Sequence, residues 1–178
     1  MKPGIFASAA LVLSLACGRV SDKEARTLVE QYNQAVCEAY RHCDVLLIDP
    51  VVAPNCVAGK NLTGLIGVRA DMGIVLDAKL EELQITGVQR KKDRLEIRTQ
   101  ERWSYLDRRM GSGEQVGQAS VDRYEVLYLF QNLKGMWMVT ETRFTAPPQV
   151  GRKTMPWLMD AKEAHAMIGN EPAPGGKR

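Results

Sequence analysis

The segment that decides the fold is residues 94–105, which read RLEIRTQERWSY. Successive side chains of a β-strand point to opposite faces of the sheet, so every second residue shares a face. One face of this segment is polar, with arginine, glutamate and glutamine side chains that include Gln100 and Arg102. The alternation predicts a long strand whose other face is buried. That face carries Leu95, Ile97, Thr99, Glu101, Trp103 and Tyr105.

The same alternation recurs after a glycine-containing loop at residues 111–113. Leu127 and Leu129 lie on the opposite face of this second long strand. Aromatic and branched side chains at every second position favour a half-buried strand. Its predicted inner face consists of Ser120, Asp122, Tyr124, Val126, Tyr128 and Phe130.

Two further strands flank these two. From residue 80 onwards the apolar period changes from helical to alternating, and this strand ends at the basic turn of residues 90–93. A turn at residues 132–135 leads into a last strand over residues 136–144. Alternation there allows two faces: either Trp137 and Val139 point inward, or Met138 does. The four strands predict an antiparallel meander.

Helices precede the strands. Residues 23 to about 41 have apolar side chains at three- and four-residue spacing, with Ser21 or Asp22 available as N-cap. Residues 61–76 predict a weaker helix that is short or broken, because each of its three glycines costs up to about 1 kcal/mol relative to alanine. We therefore expect an α+β fold, with N-terminal helices packed on a strongly curved four-stranded antiparallel sheet.

The N-terminus carries a targeting signal. Lys2 is followed by an uncharged stretch over residues 5–16, which is too short for a membrane-spanning helix of roughly 20 residues. Its length and its small residues before Cys17 fit a secretion signal. Residues 14–18, SLACG, resemble a bacterial lipobox. The resemblance implies lipidation of Cys17, cleavage after Ala16 and anchoring of the mature chain through its acyl groups.

The remaining cysteines are Cys37, Cys43 and Cys56. In an oxidising compartment two of them could pair. Cys37 and Cys43 are six residues apart in a predicted helix and point to different sides, so we expect Cys43–Cys56, or alternatively Cys37–Cys56. No pair of cysteines has the spacing of a zinc site, and we expect no metal and no cofactor.

Composition excludes one class of partner. The 178 residues include 24 basic and 21 acidic side chains, a formal net charge of +3. This balance does not predict a nucleic-acid-binding protein, because such proteins concentrate positive charge on one face.

Three segments carry a family resemblance: residues 101–105 (ERWSY), 124–128 (YEVLY) and 135–139 (GMWMV). Together they resemble the nuclear transport factor 2-like superfamily, and within it the IMS-type and SnoaL-like cone domains. The resemblance implies a cone-shaped α+β fold. Because these are packing motifs, they indicate the fold rather than an activity.

Some members of the superfamily are isomerases and dehydratases that use carboxylates inside the cone. The candidates for such chemistry here are Glu101, Asp122 and Glu141. Cross-strand pairing with neighbouring arginines explains the same carboxylates without catalysis, so we assign no catalytic residue. A tentative pocket for a ligand or partner comprises Glu101, Trp103, Tyr105, Asp122, Tyr124, Tyr128 and Trp137.

These observations predict four regions: a signal peptide (1–16), a lipidated tether (17–22), an α+β domain (23–146), and an extension with a short helix and a disordered tail (147–178). We expect a non-enzymatic binding or assembly module of the cell envelope, with a protein partner or a small apolar ligand. The expected location is the periplasmic side of the outer membrane, with the inner membrane or secretion as alternatives. The competing hypothesis is an isomerase- or dehydratase-like enzyme.

Overall fold

Helices precede the strands in the described part of the chain. The computed structural model describes residues 20–146 and residue 149. The predicted signal peptide, Cys17 and nearly all of the C-terminal extension lie outside the described residues and stay predictions. Within the described ranges, no helix has the length and apolarity needed to cross a membrane.

Helix α1 spans Asp22–His42 and confirms the first predicted helix. Ser21 is its N-cap: the Ser21 hydroxyl accepts from the Glu24 N–H, and the Glu24 carboxylate accepts from the Ser21 N–H at 2.8 Å. This reciprocal arrangement satisfies two donors that a helix start leaves unpaired. The helix ends at Cys43, which adopts a left-handed conformation with φ 50°. Its apolar stripe is fully buried against the sheet: Ala25, Val29, Tyr32, Val36, Ala39 and Tyr40.

Helix α2 spans Val57–Asp71, so the second predicted helix is present, but it begins four residues earlier than predicted, is unbroken and ends before Gly73. A 3₁₀ helix over Val45–Ile48 connects the two α-helices. Leu62, Leu65 and Ile66 are buried in the core. Burial of each such side chain contributes about 1.5–3 kcal/mol, which offsets the cost of the helical glycines.

Four antiparallel strands form one sheet in the order β1-β2-β3-β4. They span Ile74–Lys91 (β1), Arg94–Arg109 (β2), Gln115–Leu133 (β3) and Met136–Phe144 (β4). The predicted fold class, helices on a curved antiparallel sheet, is confirmed. Irregularities in the register bend the sheet, two of them within β1.

Strand β1 begins six residues earlier than the predicted start at residue 80. Gly73 has φ +67° and separates α2 from the strand. Leu76 and Ala78 are buried while Lys79 is exposed, so the alternation is present from the start of the strand. The run of apolar residues at 74–76 obscured it, because a short apolar run fits a helix equally well.

In β4 the two predicted alternatives are both partly correct. Met138 and Val139 are consecutive and both buried, at 7% and 0% exposure. The register shifts opposite this point, because Phe130 pairs with Val139 whereas Leu129 pairs with Glu141. A bulge places neighbouring residues on the same side of the sheet. Strict alternation therefore fails at this position.

The described cysteines are free thiols. The Cys43 sulfur lies 3.7 Å from the carbonyl oxygen of Ile74 in β1, and the Cys56 sulfur lies 3.6 Å from that of Val139 in β4. The bridge expected between Cys43 and Cys56 is not formed, because the two sulfurs contact opposite edge strands of the sheet. Pairing of these thiols in the oxidised protein stays a prediction, which mass spectrometry without reductant would check.

Candidate functional site

Glu101 lies at the centre of a buried polar cluster on the inner face of β2. Its Oε1 accepts hydrogen bonds from the Thr99 hydroxyl (2.7 Å) and the Tyr128 hydroxyl (2.7 Å). Its Oε2 accepts from Trp103 Nε1 at 2.8 Å. Asn33 of α1 closes the cluster, since its Nδ2 lies 3.1 Å from the Tyr128 hydroxyl. We call these five residues the Glu101 cluster.

Burial governs the electrostatics of this cluster. Glu101 is 4% exposed, and desolvation raises the pKa of its carboxyl above the ordinary value. The hydrogen bonds from Thr99, Tyr128 and Trp103 oppose this shift but do not reverse it. Burial also raises the pKa of Tyr128. These three donors are neutral, so the cause of the raised pKa is burial of the carboxyl group without a cation among its hydrogen-bond partners.

A second buried group lies further along the same face. The Tyr105 hydroxyl is 3.3 Å from the Tyr124 hydroxyl, which donates to Asp122 Oδ2 at 2.9 Å. Asp122 is fully buried, and Tyr105 and Tyr124 are 1% and 5% exposed. Burial raises the pKa of Tyr105 above its ordinary value. These hydroxyls are therefore hydrogen-bonding groups of the core.

Six of the seven predicted pocket residues lie in these two buried groups. The groups are in contact, because the rings of Trp103 and Tyr105 stack with their centres 6.1 Å apart. Trp137 joins neither, because it lies on β4 with the Arg90 guanidinium 5.4 Å from the centre of its ring. The inner face is filled by these side chains and is covered by α1, where the Tyr32 ring packs edge-on against Tyr128.

Pairing between glutamate and arginine explains only part of the predicted carboxylates. Glu141 is paired with Arg143, with two oxygen–nitrogen distances of 2.5 and 2.7 Å. The same explanation is wrong for Glu101, whose three donors are a threonine, a tyrosine and a tryptophan. The difference follows from the face of the sheet: Glu141 is near solvent, whereas Glu101 lies under α1.

A cleft of about 440 Å³ opens on the outer face of the sheet. Arg102 of β2 lies directly opposite Arg123 of β3, and Glu82 of β1 lies opposite Arg102. The inner-face residues Leu83, Glu101 and Tyr124 also border the cleft. Its outer-face lining comprises Glu82, Gln84, Gln100, Arg102, Arg123 and Glu125, with Ala146 and Gln149 at the rim. We call this the outer cleft.

The pocket predicted from the sequence did not include these outer-face residues. The sequence did predict which face of the sheet they occupy, since Gln100 and Arg102 alternate with the buried residues of β2. The signal that was missing is the register between strands, which decides that Arg102 faces Arg123. Register depends on long-range pairing and bulges that single-strand patterns do not encode.

The described part of the chain contains no cluster of side chains suited to bind a metal ion. Over residues 20–146 and 149, no group of three or more histidine, cysteine, aspartate or glutamate side chains is arranged to hold a metal ion. The chemical groups that the outer cleft offers are guanidinium, amide and carboxylate side chains at the surface.

No protein-family model matches this sequence, and no curated protein matches it. Among solved structures, a conserved protein from Planctomyces limnophilus DSM 3776 is 14% identical with a TM-score of 0.43, covering 67% of this chain and 94% of its own. That likeness is too distant to support an argument.

The crystal structure of the intermembrane space region of the chloroplast protein ARC6 is more similar. Its TM-score is 0.63 at 18% identity, and the match covers 73% of this chain and 100% of that region. At this identity the likeness concerns the fold alone. This chain therefore shares its α+β fold with the ARC6 intermembrane space region.

Proposed function

We propose that this protein is a non-enzymatic binding module of the cell envelope, tethered to a membrane through a lipid on Cys17. One observation carries the proposal: the described inner-face side chains of β2 and β3 are buried and hydrogen-bonded to one another, whereas a cleft of about 440 Å³ lies on the outer face of the sheet. A domain built in this way offers a surface to a protein partner rather than an enclosed chamber to a substrate.

The similarity in fold to the ARC6 region supports a location in the cell envelope. The ARC6 region is described as lying in an intermembrane space, which is a compartment between two envelope membranes. The lipobox-like segment SLACG independently favours export of this chain to the envelope. We propose the periplasmic side of the outer membrane as its location, because Gly18 follows the lipidated cysteine.

The enzymatic alternative needs a carboxyl group that a substrate can reach. A general acid or base must lie within hydrogen-bonding distance of the proton that it transfers. Both oxygens of Glu101 are instead occupied by donors of the protein itself, and Asp122 is fully buried. The raised pKa of Glu101 follows from packing, so it does not by itself favour catalysis.

Affinity capture from native membranes tests the proposal. The full chain, tagged at its C-terminus, should recover a protein partner in a stoichiometric complex after cross-linking in intact cells. The matched control carries the same signal peptide, tether and tag on an unrelated domain, and it should not recover that partner. A chain that remains monomeric in cross-linked membranes would contradict the proposal.

A further inference from the structure

Two arginines face each other across the middle of the outer sheet face. Arg102 and Arg123 are register partners on β2 and β3, so their side chains project from neighbouring positions into the outer cleft. Like charges directly opposite each other on a sheet destabilise it unless something neutralises them. The pair therefore carries an electrostatic cost that calls for a compensating anion.

Glu82 and Glu125 line the cleft beside the two arginines, but among the described residues a close ion pair forms with Arg102 and not with Arg123. Glu82 accepts an ion pair from Arg102, with Nη2 and Oε1 2.8 Å apart. Arg123 forms no ion pair with any residue that the structure describes, and its side chain lies at the surface. Arg102 Nε is buried without a hydrogen-bond partner among the described residues. The exposed Arg123 guanidinium is therefore open toward the cleft, and the partly exposed Arg102 guanidinium keeps donors besides the one paired with Glu82.

Neighbouring side chains restrict which anion fits. Gln100 donates to Glu125 at 3.3 Å, and Gln84 lies opposite Gln100. The carboxylates of Glu82 and Glu125 flank the arginines and disfavour a multiply charged anion such as phosphate. A single carboxylate matches the planar fork of a guanidinium and adds only one negative charge.

The backbone at this position is already occupied. The Arg123 N–H donates to the Gln149 carbonyl at 2.7 Å, and the Gln149 N–H donates to the Arg123 carbonyl at 3.0 Å. An incoming peptide therefore cannot add as a strand at Arg123, since those hydrogen bonds are used. Recognition at this point must proceed through side chains.

We infer that the Arg102–Arg123 pair is a carboxylate-binding site, which receives an aspartate or glutamate side chain of a partner protein. The inference rests on the proposed binding function and names the chemistry of the partner. A volume of about 440 Å³ accommodates one acidic side chain together with its neighbouring residues.

The test uses the full chain in mild detergent, labelled with ¹⁵N-arginine. The probe is a blocked peptide with one central glutamate among glycine and serine spacers, and the comparison is the same peptide with glutamine. The Nε–H signals of Arg102 and Arg123 should shift saturably with the glutamate peptide. The affinity for the glutamine peptide should be lower by a factor of about ten or more, as expected for loss of a charge-assisted hydrogen bond. Inorganic phosphate forms a third arm and should bind more weakly than the glutamate peptide.

Matched variants locate the site. Arg123→Gln should weaken binding of the glutamate peptide about tenfold. Arg143→Gln is the control, because Arg143 is a β4 arginine already paired with Glu141 and is absent from the cleft lining. An absence of saturable shifts, equal binding of the two peptides, or equal losses in both variants would overturn the inference. Tighter binding of phosphate would overturn the choice of a carboxylate.

Failure of this inference is distinguishable from failure of the proposed function. If the wild type and Arg123→Gln recover a partner equally well, the proposed binding function is supported and the carboxylate site is contradicted. If the peptide binds saturably but no partner is recovered from native membranes, the carboxylate site is supported and the proposed binding function is contradicted.

Discussion

Glu101 is the residue whose surroundings most constrain its chemistry. Thr99, Tyr128 and Trp103 all donate to its carboxyl group inside the core. Glu101→Ala removes the shared acceptor and leaves these donors buried beside a cavity. We expect the free energy of unfolding to fall by about 3 kcal/mol or more, measured by urea denaturation.

Glu101→Gln is the matched variant. The glutamine carbonyl can accept from Trp103 while its amide donates to the hydroxyls of Thr99 and Tyr128. Those hydroxyls can then turn toward the Val126 carbonyl (3.5 Å) and the Asn33 side-chain oxygen (3.3 Å). We expect a loss of less than about 1.5 kcal/mol. Equal losses for the alanine and glutamine variants would contradict the hydrogen-bonding role.

The raised pKa of Glu101 also predicts a pH dependence. Burial makes the folded chain bind this proton more tightly than the unfolded chain does. The resulting stabilisation is complete below the unfolded pKa and is lost as the pH rises through the folded pKa. The unfolding free energy of the wild type should therefore fall over that window relative to Glu101→Gln. A difference that does not vary with pH would contradict this assignment.

Cys37 provides a second prediction at the residue scale. Burial raises the pKa of its thiol to about 12. At pH 8 the thiolate fraction is then roughly one in 10,000, and the thiolate is the reactive form. Alkylation of Cys37 should be far slower in the native chain than in urea, as mass spectrometry of timed reactions would measure. Comparable rates in both states would show that this thiol is not protected.

At the scale of elements, two glycines can be compared that have similar room for a side chain but different backbone conformations. A Cβ added at Gly67 or at Gly73 would meet no atom within 4 Å. Gly67 lies inside α2, whereas Gly73 has φ +67° at the junction with β1. Gly67→Ala should stabilise the chain by up to about 1 kcal/mol. Gly73→Ala should destabilise it by about 1–2 kcal/mol, because alanine disfavours the left-handed region.

The unfolding midpoints of Gly67→Ala, Gly73→Ala and the wild type, measured by thermal denaturation, check both predictions. A lower midpoint for Gly67→Ala would indicate that α2 needs the freedom of a glycine there. An unchanged midpoint for Gly73→Ala would mean that the connection between α2 and β1 can adopt another conformation.

A buried ion pair fixes α2 against the sheet. Arg69 of α2 donates to the Asp107 carboxylate of β2, and the two side chains are 6% and 19% exposed. Arg69 lies in the last turn of α2, so this pair connects the end of α2 to β2. It could not be read from the sequence, because 38 residues separate the two partners.

At the scale of the whole molecule, we propose that a lipid on Cys17 anchors the module to a membrane. Cys17→Ser should abolish labelling with radioactive palmitate and release the chain from membranes, because one non-acylated terminus offers no stable anchor. Fractionation followed by immunoblotting measures the release. Cys56→Ser is the control and should remain membrane-bound. Palmitate labelling that persists in Cys17→Ser would refute the assigned lipidation site.

Much of the fold was predictable because its signals are local. The inner residues of β2 and β3, from Leu95 to Tyr105 and from Asp122 to Phe130, are buried as their alternation predicted. Helix α1 begins at a capping box and ends within one residue of its expected limit. Side-chain direction in a strand and capping at a helix start depend only on neighbouring residues, so a sequence pattern can specify them.

The sequence by itself therefore determined the α+β class, the four-stranded meander and the face of the sheet on which Glu101 and Asp122 lie. Tertiary structure alone decided the continuity of α2, the paired burial of Met138 and Val139, and the meeting of Arg102 with Arg123. These features depend on register, bulges and packing between segments distant in sequence. Such pairings are selected by the energy of the assembled core, which local patterns do not contain.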